Sequence, residues 1–176
     1  MAGADQAGGF LGPPGGVVPL AQPAGPALRS HLDLAAENDG LAPWCGPAAL
    51  ALAAGLSYEA ACALLREVAP DWYPASGPVV TAYWRDLLAG LARHGIRHEA
   101  VEVPPRITLL DLLRGGLAAG WYLLRVTDHF LLLRSDGAGG GVVHDNRHTG
   151  EAPSGRLHGR RRVSHAARLL GGPVVR

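Results

Sequence analysis

A cysteine at the start of a predicted helix is the residue with the clearest chemical potential in this sequence. The segment Trp44-Cys45-Gly46-Pro47-Ala48 leads into an Ala/Leu-rich run, and proline in the first turn is typical of a helix start. The free amides and the dipole of a helix N-terminus stabilise an anion, so we expect Cys45 to ionise more readily than a thiol in solution. Gly46 is expected to leave room beside the sulfur for a substrate backbone. Cys62 lies mid-helix among Ala and Leu, which is typical of a buried structural cysteine.

A nucleophilic thiolate requires a base, and the base requires a group that orients it. His129 opens an apolar strand, and Asp145 lies sixteen residues later, on the second arm of a predicted hairpin. With a turn centred near Gly137, His129 and Asp145 face each other across the ladder with Cβ atoms ~5 Å apart. A register shift of one residue would instead bring His144 or Asn146 into play. Taken singly, each of these residues is more often structural; their order along the chain is what suggests chemistry.

This arrangement resembles the papain-like cysteine peptidases. It is most similar to the small bacteriocin-processing (double-glycine) peptidases and their stand-alone relatives in bacteria and phages. Residues 45–59 carry most of the resemblance through the Cys-Gly-Pro helix start, and the strands 129–133 and 142–146 carry the rest. It spans about residues 38–148. It implies a papain-like α+β fold with N-terminal helices packed on a C-terminal antiparallel sheet.

The resemblance also implies a reaction and a set of roles. The chain would be a cysteine-nucleophile hydrolase, first of all a peptidase, acting on a peptide or protein through an acyl-enzyme and without a cofactor. Cys45 would be the nucleophile and His129 the general base and then the acid. Asp145, or alternatively Asn146, would hold the imidazole. Deamidation and acyl transfer use the same groups and stay open.

The sequence departs from the family where the oxyanion donor is expected. Such peptidases have a Gln six residues before the Cys, and this chain has Asp39 there. A carboxylate would repel an oxyanion, whereas the side-chain amide of Asn38 could serve if the loop adjusts by one residue. Losing such a donor costs ~3 kcal/mol in the barrier, so weak or absent catalysis is an open alternative.

Three competing hypotheses come from other motifs. An inactive papain-like scaffold would serve as a structural or interaction protein, for example in a phage particle, with its N-terminal arm and basic tail as contact surfaces. His144, Asp145 and His148, joined by His158, form a metal-capable cluster, but no zinc pattern is present and no metal ligands are predicted. The basic run 160–162 favours a solvated edge strand over a nucleic-acid site.

Length and composition bound the remaining classes. The 176 residues suit one domain, and a net charge of +1 with 18% charged residues excludes a generally basic nucleic-acid coat and charge-driven disorder. Two cysteines do not make a disulfide framework, and no run approaches the ~18 apolar residues of a membrane helix. The Gly- and Pro-broken start is a poor signal peptide, so a cytoplasmic location is the default expectation, with a virion or unconventional export left open.

Periodicity and punctuation residues predict the elements that position these groups. A helical front half followed by strands indicates two layers of an α+β domain. We predict a Gly/Pro-rich arm over 1–28, a peptidase-like domain over 29–155 and a basic strand or tail over 156–176. Helices are expected at 47–54, 58–68, 80–94 and from 108, and strands at 96–103, 121–126, 129–134 and 142–146.

Overall fold

The computed structural model of the protein describes residues 28–175, in which helices precede most of the strands. The predicted arm, apart from its last residue, lies outside the described residues. The helices are α1 (His31–Ala36), α2 (Cys45–Ala54), α3 (Tyr58–Val68), α4 (Trp84–Arg93) and α5 (Leu109–Arg114). The strands are β1 (His98–Val101), β2 (Gly120–Val126), β3 (His129–Ser135), β4 (Gly141–His144), β5 (Thr149–Glu151) and β6 (Val163–Leu169).

Capping residues in the sequence set several of the helix ends. Gly55 ends α2 in the left-handed conformation at φ 64°, which glycine adopts without a steric penalty. The side chain of Ser57 accepts the Ala60 amide at the start of α3, and Thr108 caps α5 in the same way. The predictions for these three helices are confirmed. Helix α1 was missed, although Ser30 and Asp33 form a reciprocal capping box there.

Helix α4 begins four residues later than predicted. The backbone amide of Tyr83 donates to the Tyr73 hydroxyl at 3.2 Å, and that hydroxyl donates to Asp86 in the first turn of α4 at 2.7 Å. Because the Tyr83 amide is bound by a side chain, the chain before Trp84 stays extended.

All six strands form one antiparallel sheet in the order β1-β6-β2-β3-β4-β5. The predicted α+β class, with N-terminal helices packed on a C-terminal antiparallel sheet, is confirmed. Strand β6 lies between β1 and β2, so the end of the chain is an interior part of this sheet. The expectation of an edge strand at the basic run is wrong. Arg160–Arg162 lie before β6, and the buried residues of β6 itself are small and apolar.

The sheet is covered on both faces. Leu123, Phe130 and Leu132 belong to the same core as the buried side chains of α2 and α3. Side chains on the opposite face of these strands, such as that of Leu131, form a second core with the buried leucines of α5. Two buried faces explain why β2 and β3 are almost continuously apolar rather than alternating.

The hairpin of β3 and β4 has a register two residues away from the predicted one. Leu132 pairs with His144 and Ser135 with Gly141, so the turn is centred on residue 138 rather than 137. The reason is that one carboxylate oxygen of Asp136 accepts the amides at 138 and 140, which closes a wider loop. A shift of two residues keeps every side chain on its expected face.

A helix that crosses a membrane has to be both long and apolar. Within residues 28–175 no single helix is long and apolar enough to cross a membrane. The bent pair α2 and α3, with 103° between its helices, passes on length and composition alone.

Candidate active site

Cys45 lies at the first residue of α2, as predicted, with its side chain half-buried. Burial raises the pKa of its thiol, but the His129 side chain and the backbone amides of Phe130 and Gly46 together outweigh burial. The pKa is therefore lowered from the ordinary value of 9.0. The thiol of Cys62 differs, because burial dominates there and raises its pKa. The two cysteines thus have the contrasting environments that the sequence predicts.

His129 begins β3 directly after the tight turn from β2, where Asp128 adopts a φ of 52°. Its side chain is 12% exposed, and its Nε2 lies 2.8 Å from Oδ2 of Asp145. Burial lowers the pKa of the imidazole, but the hydrogen bond to Asp145 and the interaction with Cys45 prevail and raise it to about 9. At neutral pH this favours the charged imidazolium form of His129.

Asp145 is the centre of a buried hydrogen-bond network and is 1% exposed. Its Oδ1 accepts the backbone amides of Arg147 at 2.7 Å and His148 at 2.8 Å, an Asx-type turn that carries the chain out of β4. Burial raises the pKa of this carboxyl. The hydrogen bonds from His129, His158 and the Arg147 amide outweigh burial and hold the pKa well below its usual range. The carboxylate is therefore charged and fixed in orientation.

The predicted geometry of the contact between Asp145 and His129 is wrong in one respect. The register places Asp145 beyond the last paired residue of β4, so the two side chains do not face each other across the ladder. The carboxylate reaches the imidazole from the turn that follows the strand.

Two further histidines bind the same carboxylate. Nε2 of His158 lies 2.6 Å from Oδ2 of Asp145, and Nδ1 of His148 lies 3.0 Å from Oδ1. The His158 ring stacks on the His129 ring, with centroids 4.8 Å apart and planes 14° apart. His158 has a φ of 51°, a conformation uncommon outside glycine that is often retained at functional sites. No spacing pattern indicates His158 at this site, and its place in the candidate metal cluster was the only indication of a role.

In the cluster of His129, Asp145 and His158, the distances from the ring nitrogens to the carboxylate oxygen are those of hydrogen bonds. Its three ligand atoms lie within 4.8 Å of one another, which is close enough for a metal ion to be considered. The two N···O distances of 2.8 and 2.6 Å are shorter than the ~3.3 Å between neighbouring ligands of a tetrahedral ion with bonds of ~2.0 Å. Protons between the atoms account for this arrangement. The cluster considered from the sequence, which was not predicted to hold a metal, differs in composition, because His144 and His148 are not in this group.

The two asparagine candidates are placed outside the catalytic contacts. The side-chain amide of Asn38 donates to the Leu41 carbonyl at 3.1 Å, and Asn38 lines a neighbouring cavity rather than the one that holds Cys45. Asn146 lies in the Cys45 cavity, but its amide donates to the Pro43 carbonyl at 2.6 Å. Asn146 therefore ties the turn after β4 to the segment before the nucleophile, while Asp145 contacts the imidazole.

One open cavity of about 570 Å³ unites these groups. Cys45, His129, Asp145 and His158 all line it, and Trp44, 46% exposed, forms part of its wall. Its other lining residues are Ala42, Pro43, Asp128, Asn146, Arg147, His148, Arg156, Leu157 and Arg161. Cys45 and His129 therefore border the same open cavity.

Gly46 serves packing rather than substrate access, contrary to the sequence-based expectation. It is buried, and a methyl group added there would overlap the Cβ of Ala82. The close approach of Ala82 to the first turn of α2 thus fixes where Cys45 stands.

We expect Gly46→Ala to destabilise the protein by ~1–3 kcal/mol, because overpacking forces the backbone of α2 away from Ala82. Urea unfolding followed by circular dichroism measures this loss. The double variant Gly46→Ala/Ala82→Gly removes the overlapping methyl and should recover much of the stability. An equal loss in the single and double variants would contradict the packing argument.

Comparison with known proteins does not assign the site. No family model, no curated protein and no solved structure matches this chain. The functional conclusion therefore depends on the geometry and charges of the residues themselves.

Proposed function

We propose that the protein is a cysteine-nucleophile hydrolase, in the first place a peptidase, with Cys45, His129 and Asp145 as its catalytic residues. One observation carries the proposal. A thiol of lowered pKa at a helix N-terminus shares a cavity with an imidazole of raised pKa, and a buried carboxylate holds that imidazole. Perturbed pKa values in opposite directions within one cleft are characteristic of acid–base pairs in catalysis.

The groups present support a two-step reaction. The Cys45 thiolate attacks the substrate carbonyl carbon, a C–S bond forms, and the C=O electron pair moves onto oxygen. In the first turn of α2, Pro47 has no N–H and the Ala48 amide donates to the Trp44 carbonyl, so the Cys45 and Gly46 amides remain as backbone donors for that oxyanion. When the carbonyl reforms, the C–N bond breaks and His129 gives its proton to the departing amine.

The second step uses the same imidazole as a base. Neutral His129 takes a proton from water while the water oxygen attacks the thioester carbonyl. The C–S bond then breaks, the acid is released, and the thiolate and imidazolium are restored. Asp145 orients the ring and stabilises its charged form through the bond to Nε2, which leaves Nδ1 as the nitrogen for proton transfer.

His158 and His148 are positioning residues in this scheme. Their bonds to Asp145 hold the carboxylate in one orientation, and the stacked His158 ring limits rotation of His129. The sequence resemblance to papain-like peptidases supports the same roles. The alternative is a scaffold of this fold that serves as a structural or interaction protein without chemistry.

Acyl-enzyme formation tests the proposal without knowledge of the natural substrate. With p-nitrophenyl acetate, the wild-type protein should release a burst of p-nitrophenolate stoichiometric with protein, and mass spectrometry should find the acetyl group on Cys45. The variant Cys62→Ala should retain the burst, and Cys45→Ala should lose it. If the wild-type protein shows neither a burst nor an acetylated Cys45, the non-catalytic scaffold is correct.

A further inference from the structure

Three arginines stand around the candidate active site. Arg147, Arg156 and Arg161 are exposed and line the cavity that contains Cys45, and within residues 28–175 the only exposed acidic residue that lines it is Asp128. The chain as a whole has a net charge of only +1. The positive charge at this cavity is therefore local rather than a general property of the surface.

These guanidinium groups are available to a ligand. Among residues 28–175, none of the three forms a salt bridge with a carboxylate. Arg161 donates through Nη1 to the Thr127 carbonyl at 2.9 Å, which fixes its position at the rim and leaves its other donors free. The remaining acidic group of the cavity, Asp145, is buried and already bonded to three imidazoles.

Each arginine is close to one of the groups around the thiol, either in the sequence or through a hydrogen bond. Arg147 follows Asp145 by two residues, and Arg156 precedes His158 by two residues. Arg161 binds the carbonyl two residues before His129. The three arginines therefore line the same cavity as His129, His148 and His158.

We propose that this arginine rim, Arg147, Arg156 and Arg161, selects substrates with a carboxylate next to the carbonyl that Cys45 attacks. The inference deepens the proposed hydrolase function and rests on it. Guanidinium forks bind carboxylates in pairs of parallel hydrogen bonds, which gives both orientation and affinity. Phosphates suit the same forks, but a nucleic acid has no open-chain amide whose cleavage releases an amine, so an acidic peptide is the ligand that fits both parts of the cavity.

A pair of alkylating reagents tests the rim directly. Iodoacetate carries a carboxylate one carbon from the reacting centre, and iodoacetamide is its neutral counterpart. The measured quantity is the ratio of their alkylation rates at Cys45, determined by mass spectrometry in the Cys62→Ala background. We expect Arg147→Ala/Arg156→Ala to lower the iodoacetate-to-iodoacetamide ratio about tenfold in ~20 mM salt and much less in ~0.5 M salt, where charges are screened. Both arginines are exposed, so the variant is expected to fold.

Arg160→Ala is the matched control. Arg160 belongs to the same basic run but does not line the cavity, so its removal should leave the ratio unchanged. If the double variant behaves like Arg160→Ala while iodoacetamide still reacts fast, the rim inference is overturned and the hydrolase proposal stands. Slow iodoacetamide alkylation of the wild-type protein would instead overturn the hydrolase proposal.

Protection experiments identify the source of the carboxylate. N-acetylglutamate α-amide carries a side-chain carboxylate, N-acetylglycine carries a chain-terminal one, and N-acetylglutamine α-amide carries neither. Protection of Cys45 from iodoacetamide by either acid, lost in the double arginine variant, supports the rim and names the end of the substrate that it binds. Equal protection by the neutral amide would contradict carboxylate selection.

Discussion

Replacing His129 by alanine should slow the alkylation of Cys45 by iodoacetamide on the order of a hundredfold at about pH 6.5. Only the thiolate reacts, so the rate follows the ionised fraction. In the wild-type protein the imidazole and two backbone amides lower the pKa of the thiol below 9.0 against the opposing effect of burial. Without the imidazole, burial is opposed by the backbone amides alone, and the pKa moves upward. A profile of rate against pH should show the inflection displaced to higher pH.

Two comparisons make this result specific. His148→Ala removes another imidazole from Asp145 but none from the thiol, so its effect on the rate should be far smaller. Cys62, whose pKa burial raises, should react later than Cys45 throughout the pH range. If both cysteines react equally slowly in the wild-type protein, Cys45 is an ordinary thiol and the catalytic proposal fails.

The parts of the fold that follow from local rules could be predicted from the sequence. Proline at the start of α2, Gly55 at its end and Ser57 before α3 act through neighbouring backbone, and each does what its residue type indicates. The late start of α4 could not be predicted in this way. It depends on a hydrogen bond between Tyr83 and Tyr73, which are brought together only by tertiary packing.

The position of β6 shows the same limit on a larger scale. Its small and apolar residues mark a strand, but no local signal indicates that the strand lies between β1 and β2. Strand order depends on pairing between segments far apart in the chain, such as Trp121 with Leu169. The basic run just before β6 gave a misleading impression of an edge.

The sequence predicts the site residues that lie at the start of a helix or strand. It predicts the contacts between the site residues less well. Cys45 and His129 stand at a helix start and a strand start, positions that sequence punctuation marks. Asp145 was identified with a register that is off by two residues, and it still reaches His129 because an even shift preserves the face and the following turn carries the carboxylate inward. His158 joins through a left-handed turn far along the chain, which no pattern of spacing indicates.

The largest expected loss of stability comes from removing Asp145. Its carboxylate accepts two backbone amides and three imidazoles, of which those of His129 and His158 are nearly buried. Asp145→Ala leaves these donors without an acceptor, and breaking a buried charged network typically costs about 3–5 kcal/mol. Urea unfolding at about pH 5.5 should measure that loss in the free energy of unfolding.

The pH dependence of this loss separates charge from simple packing. The folded pKa of Asp145 is lowered, so its contribution is present above its ordinary value of 3.8 and disappears as the pH falls below that value. The folded pKa of His129 is raised from 6.5 to about 9, so its contribution is complete below 6.5 and disappears as the pH rises through about 9. The cost of Asp145→Ala should therefore be greatest between these limits and smaller by roughly 2 kcal/mol at about pH 9.5.

Asp86→Ala provides the matched control for this prediction. Asp86 is also a buried carboxylate, but its partners are the Tyr73 hydroxyl and the Arg85 guanidinium rather than imidazoles. Because neither partner is His129, the pH dependence that His129 gives to Asp145→Ala should be absent from Asp86→Ala. If the cost of Asp145→Ala did not change with pH, the His129 imidazolium would not be a charged partner of Asp145. The ion-pair basis of the proposed mechanism would then be lost.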